Sequence, residues 1–419
     1  MSASWNKPIR IFPCLPPELW LRIFDVSTFI PGVLEPEFYV ISDEPRRVTT
    51  RSQQRLLKDS LLTKRNLVRV CKQWHTLATP FLFEIIIIGR GRTLSSLCSA
   101  LVDSKRKMDN LSNDHHPLGW YTKRLDLAMR DQGRQGAASE LEFLAEAIRC
   151  LPNLTIVMFS VRAPRYVEHP MPTSIMQALA EACGPALRVL DFSESVLHPF
   201  RHDWRTLLMA TPHLRVLGGP EATPISSTHP RPLVDLPVLP ELTALTLASP
   251  NSKEYLTEGN HFPSLRELEF HYFLPPLWDT WAGPLGIFGH NLTAVHLNFN
   301  ISAGYLQGEI DVLSQHCPNL TRLTLSLKIW EQLIDKLSLP PVPYLALRCW
   351  QYQAPSSKYR WLFASLSTMF GPTLQRVCLC DHHNVTDLRL RHARVLAQGL
   401  ELISHCPFRL EDHEGQLFT

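Results

Sequence analysis

The stretch PNLTRLTL, Pro318 to Leu325, decides how the chain reads. Leu323 and Leu325 stand two apart, so they share one face of a short strand, and Leu320 leads in behind a proline. The phrase is proline, any residue, leucine, two residues, apolar, any residue, apolar. It recurs as PNLTIVMF from Pro152, PALRVLDF from Pro185, PHLRVLGG from Pro212 and PELTALTL from Pro240. It returns in PSLRELEF from Pro263 and PTLQRVCL from Pro372; HNLTAVHL from His290 lacks the proline, and PYLALRCW from Pro343 fits loosely. The leading leucines, Leu154, Leu187, Leu214, Leu242, Leu265, Leu292, Leu320, Leu345 and Leu374, fall 23 to 33 residues apart.

Amphipathic stretches separate the phrases. SELEFLAEAIRC opens with a capping box, Ser139 to Glu142, and puts Leu141, Leu144, Ala145 and Ile148 on one face. SIMQALAEAC from Ser174, WRTLLMA from Trp204, EIDVLSQHC from Glu309 and ARVLAQGLELISHC from Ala393 are of the same kind. A proline just after a helix stops it and turns the chain toward the next strand. One strand and one helix cannot bury their own apolar faces, so the units must stack. The spacing, close to about 20–29 residues, is that of leucine-rich repeats. The expected fold is α/β: a leucine-rich-repeat solenoid over residues 84–419, a horseshoe with a parallel concave sheet and outer helices. FEIIII, Phe83 to Ile88, and KRLDLAM, Lys123 to Met129, read as its degenerate first turns.

Before the array, LPPELWLRIFDV (Leu15 to Val26) has two prolines and Glu18 at a helix start, where proline is tolerated and an acid complements the dipole. Leu19, Ile23 and Val26 form one stripe, Trp20 and Phe24 a second, which is more apolar girth than one small core needs. A second run, LLTKRNLVRVCKQWHTLA (Leu61 to Ala78), places Leu67, Val70, Cys71, Trp74, Leu77 and Ala78 at helical spacing, with Lys64, Arg65, Arg69, Lys72 and Gln73 as the wet face. Apolar surface this broad predicts a docked partner.

These two runs, in this order near the N-terminus, resemble the F-box motif, and an F-box followed by leucine-rich repeats is a recurring family architecture. The resemblance covers residues 13–83 as a small all-helical module. It implies docking to Skp1, and through it to a cullin, with Leu15, Pro16, Leu19, Ile23, Val70, Cys71 and Trp74 matching the family's pattern. It further implies a non-catalytic adaptor of a ubiquitin ligase whose array holds a target protein. The alternative is an interaction scaffold outside any ligase, its N-terminal helices serving only to cap the array. The chain departs from the family in a long insertion, Phe29 to Asp59, expected to be a surface excursion because long loops cost little extra closure entropy.

The composition fits this reading. With 45% apolar and 19% charged residues and a net charge of +3, the chain is that of a folded protein without a field that would draw nucleic acid or membrane. The basic stretch Arg46 to Lys72, nine Lys or Arg to one acid, lacks interleaved aromatics and reads as a solvated face. Ten cysteines without a CxxC pair, no signal-like leader and no run of about 20 apolar residues suggest a reducing compartment, cytoplasm or nucleus.

Strand alternation also predicts the concave face. With the leading leucine and the fourth and sixth positions inward, the fifth and seventh point the other way. These include Met158, Ser160, Asp191, Ser193, Gly218, Pro220, Thr246, Ala248, Glu269, His271, His296, Asn298, Thr324, Ser326, Cys378 and Cys380. They contain no arginine or lysine, which disfavours a phosphate pocket on the strands. Glu269, His271 and His296, and Cys378 and Cys380 with Asp381, His382 and His383, use metal-ligand residue types, but neither set has a recognised spacing, so no metal or cofactor is expected. No nucleophile, phosphate-loop or zinc-hydrolase signature is present.

Overall fold

The computed structural model describes residues 15–39, 51–109, 116–129, 137–161, 169–192, 195, 197–219, 237–247, 261–272, 282–299 and 306–418. Ser193, Pro220, Ala248 and the 40–50 part of the insertion lie outside them, and the side chain of His271 is likewise not described.

The chain opens with three helices packed on one another: α1 (Pro17–Thr28), α2 (Arg51–Leu67) and α3 (Lys72–Phe83). Pro16 is the N-cap of α1 and Pro17 its first residue, as the Leu15–Val26 pattern predicts. The run Leu61 to Ala78 is two helices rather than one. Cys71 is fully extended (φ −159°, ψ 170°), and its Sγ accepts the Trp74 N–H at 3.4 Å, so it is an N-cap and the helical spacing across it is coincidental. The end of the insertion is helical too, since α2 begins at Arg51.

Downstream, twelve parallel strands form one open sheet in which each pairs with the next in chain order, a solenoid-like α/β arrangement. They are β1 (Ile85–Ile88), β2 (Arg124–Leu127), β3 (Ile156–Phe159), β4 (Val189–Asp191), β5 (Val216–Gly218) and β6 (Ala244–Leu247). There follow β7 (Glu267–Tyr272), β8 (Ala294–Phe299), β9 (Arg322–Leu327), β10 (Tyr344–Cys349), β11 (Arg376–Leu379) and β12 (Arg409–Glu411). Return helices lie between strands: α4 (Leu94–Asp109), α5 (Ala137–Ile148), α6 (Thr173–Ala182) and α7 (Arg201–Ala210) early in the array. Later come α8 (Ala282–Phe288), α9 (Leu306–His316), α10 (Ser356–Thr368), and the pair α11 (His382–Leu390) and α12 (Ala393–Ile403).

The inward strand positions and the apolar helix faces make one continuous core, and every leading leucine of the phrase is buried in it. The leading residue also fixes the turn. The N–H groups of Leu154, Leu214, Leu265 and Leu320 each donate to the carbonyl three residues back. A threonine just after the leucine stitches neighbouring turns, as when Thr155, Thr243, Thr293 and Thr321 donate Oγ1 to a carbonyl of the preceding turn. Among the described residues no helix is long and apolar enough to cross a membrane.

Two sequence readings shift. Leu345 pairs with Leu323, not with Leu320, so the loose phrase at Pro343 is out of frame by three. The buried Val342 takes the leading place, and Pro340 to Leu347 then matches the full phrase with valine for leucine. Helix α5 begins at Ala137, so Ser139 lies inside it and does not cap it; the face Leu141, Leu144, Ala145 and Ile148 is buried as expected.

Candidate functional site

Helix α1 divides its apolar residues between two faces. Trp20 and Phe24 turn inward onto Trp74, with ring centroids 4.6 and 5.0 Å away, and Phe24 meets Phe81 edge-on. Phe24 is fully buried, so the aromatic stripe closes the core of the unit. On the other stripe Leu19, Ile23 and Val26 are 50, 45 and 65% exposed. Val70 and Cys71 are exposed in the turn before α3, Pro16 is exposed, and Leu15 and Trp74 are half-buried. Eight of the twenty exposed large apolar side chains among the described residues fall between Leu19 and Val70. The expected wet face of the second run holds for Arg65, Arg69, Lys72 and Gln73, but not for Lys64. That lysine is buried and pairs with Glu84 at 3.4 Å, and Glu84 also meets Lys123 at 3.1 Å, which ties the helical unit to the array. Burial lowers the Lys64 pKa below the ordinary lysine value despite that partner.

The first part of the insertion is not a surface excursion. Ile30, Val33 and Leu57 pack with Ile85, and with Leu34 and Ile87, on the face of β1 that points away from the return helices. Tyr39 lies on Ile156, Met158, Val189, Val216 and Ala244, the same face of β3 to β6. Its hydroxyl donates to the Val33 carbonyl at 2.8 Å and accepts from Arg124. Arg124, buried on β2, also donates to the Val33 carbonyl at 3.0 Å and holds Asp126 with two bonds of 2.7 Å. Glu37 reaches Arg215 just before β5. Burial pushes the Tyr39 phenol above its ordinary pKa, so it stays a hydroxyl. Apolar residues at the third phrase position explain the docking: the sheet's open face is itself hydrophobic here and needs a cover.

Further along, the polar row anticipated for the open face sits in register but is mostly out of water. Glu269, His296, Thr324 and Ser326 are buried, as are Cys378 and Cys380; Asp191, Thr246 and Asn298 are half-buried. The row is linked across strands about 4.8 Å apart. Thr246 Oγ1 donates to Glu269 Oε2 at 3.1 Å, Glu269 Oε1 lies 2.8 Å from His296 Nδ1, and His296 Nε2 lies 2.8 Å from Ser326 Oγ. Serine, histidine and carboxylate in line is the order of a nucleophile and its base. Ser326 is 0% exposed, however, so no substrate carbonyl can reach its Oγ in this conformation. Gly218 stands beside Asp191 because a Cβ there would lie 2.0 Å from Asp191 Oδ1.

Among the described residues no three His, Cys, Asp or Glu side chains are grouped to hold an ion. Asp381 instead caps α11, accepting the N–H groups of His383 and Asn384 at 2.8 and 3.1 Å. The Cys378 and Cys380 sulfurs are 3.6 Å apart, and none of the nine described cysteines forms a disulfide. Burial pushes the Cys183, Cys317 and Cys349 thiols up to about 12, so they behave as inert core groups.

The absence of arginine from the open face is overturned. The third phrase position points the same way as the fifth, and the pairing register runs it through Arg322, Tyr344, Arg376 and Arg409 on β9 to β12. Arg322 and Arg376 both stack on Tyr344, their guanidinium carbons 4.8 and 5.0 Å from its ring centre. Simple alternation, carried one step back from the first inward residue, finds these positions. Among known proteins, no family model matches the chain and no curated sequence is significantly similar to it.

Proposed function

We propose that the protein is a non-catalytic adaptor whose three-helix unit docks Skp1 of a cullin-based ubiquitin ligase while the array holds a target protein. The observation that carries this reading is the exposed stripe Leu19, Ile23 and Val26. The unit has already closed its own core with Trp20, Phe24 and Trp74, so this second apolar face has no internal use. Apolar surface of that kind on a folded unit marks an interface. Leu19, Ile23 and Val70, the exposed large apolar members of the motif, would then meet Skp1, with Leu15, Pro16 and Cys71 beside them and Trp74 supporting them from within. Holding a target near a charged carrier enzyme raises its effective concentration, which needs no bond-making group on the adaptor.

A second reading, a scaffold with a helical cap, draws on a different observation. Residues 30–39 and Glu84 bind the helical unit to the first strands, as a cap would. The two readings separate at the outer stripe of α1. Co-expression with Skp1 followed by size-exclusion chromatography, beside a Leu19→Glu, Ile23→Glu variant, tests them. One-to-one co-elution of the wild type and its loss in a folded variant support the adaptor. A wild type that elutes without Skp1 refutes it and leaves the scaffold.

A further inference from the structure

We propose that the open face of β9 to β11 binds an extended peptide through its oxyanions, carboxylate or phosphate, with Arg322 and Arg376 as the anion-holding residues and Tyr344 as the platform between them. This deepens the reading of the array as the target-holding surface and rests on it, but not on the docking of Skp1.

Charge balance is the first support. Four arginines near the sheet have a carboxylate, Arg124 with Asp126, Arg215 with Glu37, Arg389 with Asp412 and Arg409 with Glu411, while Arg348 on β10 stacks on Trp350. Arg322 and Arg376 have none among the described residues, and both positive groups are drawn onto one tyrosine ring. The nearest acids in the register are committed elsewhere, Glu411 to Arg409, and Glu267, two strands before Arg322, is buried and engaged. Hydrogen bonding is the second. Arg322 Nε and Nη2 are shut from water without a partner, and a buried donor left without a hydrogen bond destabilises the fold. Lifting this guanidinium toward an anion on the open face therefore gives up its stacking on Tyr344 for hydrogen bonds that these donors lack here.

The third support comes from the molecule's own example. On the same face of the early strands, a segment of turn and 3-10 helix, Val33 to Tyr39, meets Arg124, in the same register row as Arg322, and Arg215, one residue before that row, with a carbonyl, a phenol and the Glu37 carboxylate. The later strands offer the same chemistry unfilled by any described residue. Arg322 and Arg376 are two strands apart, about 10 Å, which a peptide in the extended polyproline II form spans in about three residues, one turn, so that positions i and i+3 face the sheet together. The ligand should thus carry two acidic groups three positions apart.

Fluorescence polarisation on the full chain tests this with three labelled Gly/Ser/Tyr decapeptides carrying two glutamates, two phosphoserines or two glutamines at that spacing. The expected result is salt-sensitive binding of the acidic peptides, weaker by about tenfold or more in Arg322→Gln, Arg376→Gln. The control Arg205→Gln, Arg360→Gln, on the outer helices, should bind as wild type does. The exposed Arg376→Gln alone serves if the double variant does not fold. Tighter binding of the phosphopeptide names phosphate as the anion, and tighter binding of the glutamate peptide names carboxylate. The proposal is overturned by equal binding of the glutamine peptide, by equal loss in the control variant, or by no acidic peptide binding up to about 1 mM. Displacement of the peptide by a lower concentration of oligothymidine would overturn the assignment to peptide. None of these outcomes depends on whether Skp1 co-elutes.

Discussion

Replacing Tyr39 with alanine should destabilise the protein by about 3 kcal/mol. Full truncation of a buried aromatic costs about 3–5 kcal/mol, and Tyr39 is only half-buried against the cluster Ile156, Met158, Val189, Val216 and Ala244, so packing contributes less, about 2 kcal/mol. The hydroxyl adds about 1 kcal/mol, because its loss removes one bond to the Val33 carbonyl and one from Arg124. Arg124 keeps both Asp126 bonds and its own bond to Val33, so it is not stranded. Tyr39→Phe isolates that smaller part. Urea unfolding followed by circular dichroism, wild type against both variants, gives the two values. An alanine variant within about 0.5 kcal/mol of wild type would show that the segment does not cover the sheet. A phenylalanine variant as costly as alanine would show that the polar bonds, and not the packing, hold it.

Two further outcomes concern the C-terminal end. Gly399→Ala would place a Cβ 2.3 Å from the buried Phe363 ring, where α12 crosses α10, and should cost about 1–3 kcal/mol by thermal unfolding; an unchanged midpoint refutes that close approach. Burial raises the Asp412 carboxyl, but the N–H groups of Gln416 and Glu414 and the Arg389 guanidinium outweigh it and hold the pKa below the usual aspartate range. A depressed carboxyl stabilises above its unfolded pKa, near 3.9, and loses that contribution as pH falls through the lower folded value. Asp412→Asn should therefore cost about 1–2 kcal/mol at pH 7 and converge with wild type in acid. A pH-independent gap between their unfolding curves would contradict this assignment.

What the chain reveals in advance is what depends on near neighbours. Alternation at Leu323 and Leu325 and the stop-and-turn prolines are local signals, and they place the strands and their buried leucines correctly. The burial of Lys64 depends on Glu84, twenty residues away on another element, and looks like an ordinary wet-face lysine in sequence. The course of residues 30–39 carries no periodicity, because its shape is set by the apolar face it covers. Cys71 read as a helix interior because helical spacing ignores a single extended residue. The arginine row stands at the third phrase position, which lies outward like the fifth but precedes the first inward strand residue, so alternation running forward from that residue does not reach it. In the candidate site, Leu19 and Ile23 were legible as surplus apolar surface, whereas the line from Glu269 through His296 to Ser326 required the strand register.

The contact between Glu37 and Arg215 joins residues 178 apart in the chain. An array whose turns touch only their neighbours unravels one unit at a time from either end. Here the first end cannot peel away, since loosening β1 also means withdrawing a segment laid across β2 to β6. Those strands should melt as one cooperative block, with hydrogen-exchange protection that rises and falls together. The later strands have no such cross-tie among the described residues, so opening there can be graded and partial. The protein would then have a stiff half and a compliant half, and the exposed arginine and its half-buried partner on Tyr344 belong to the compliant one.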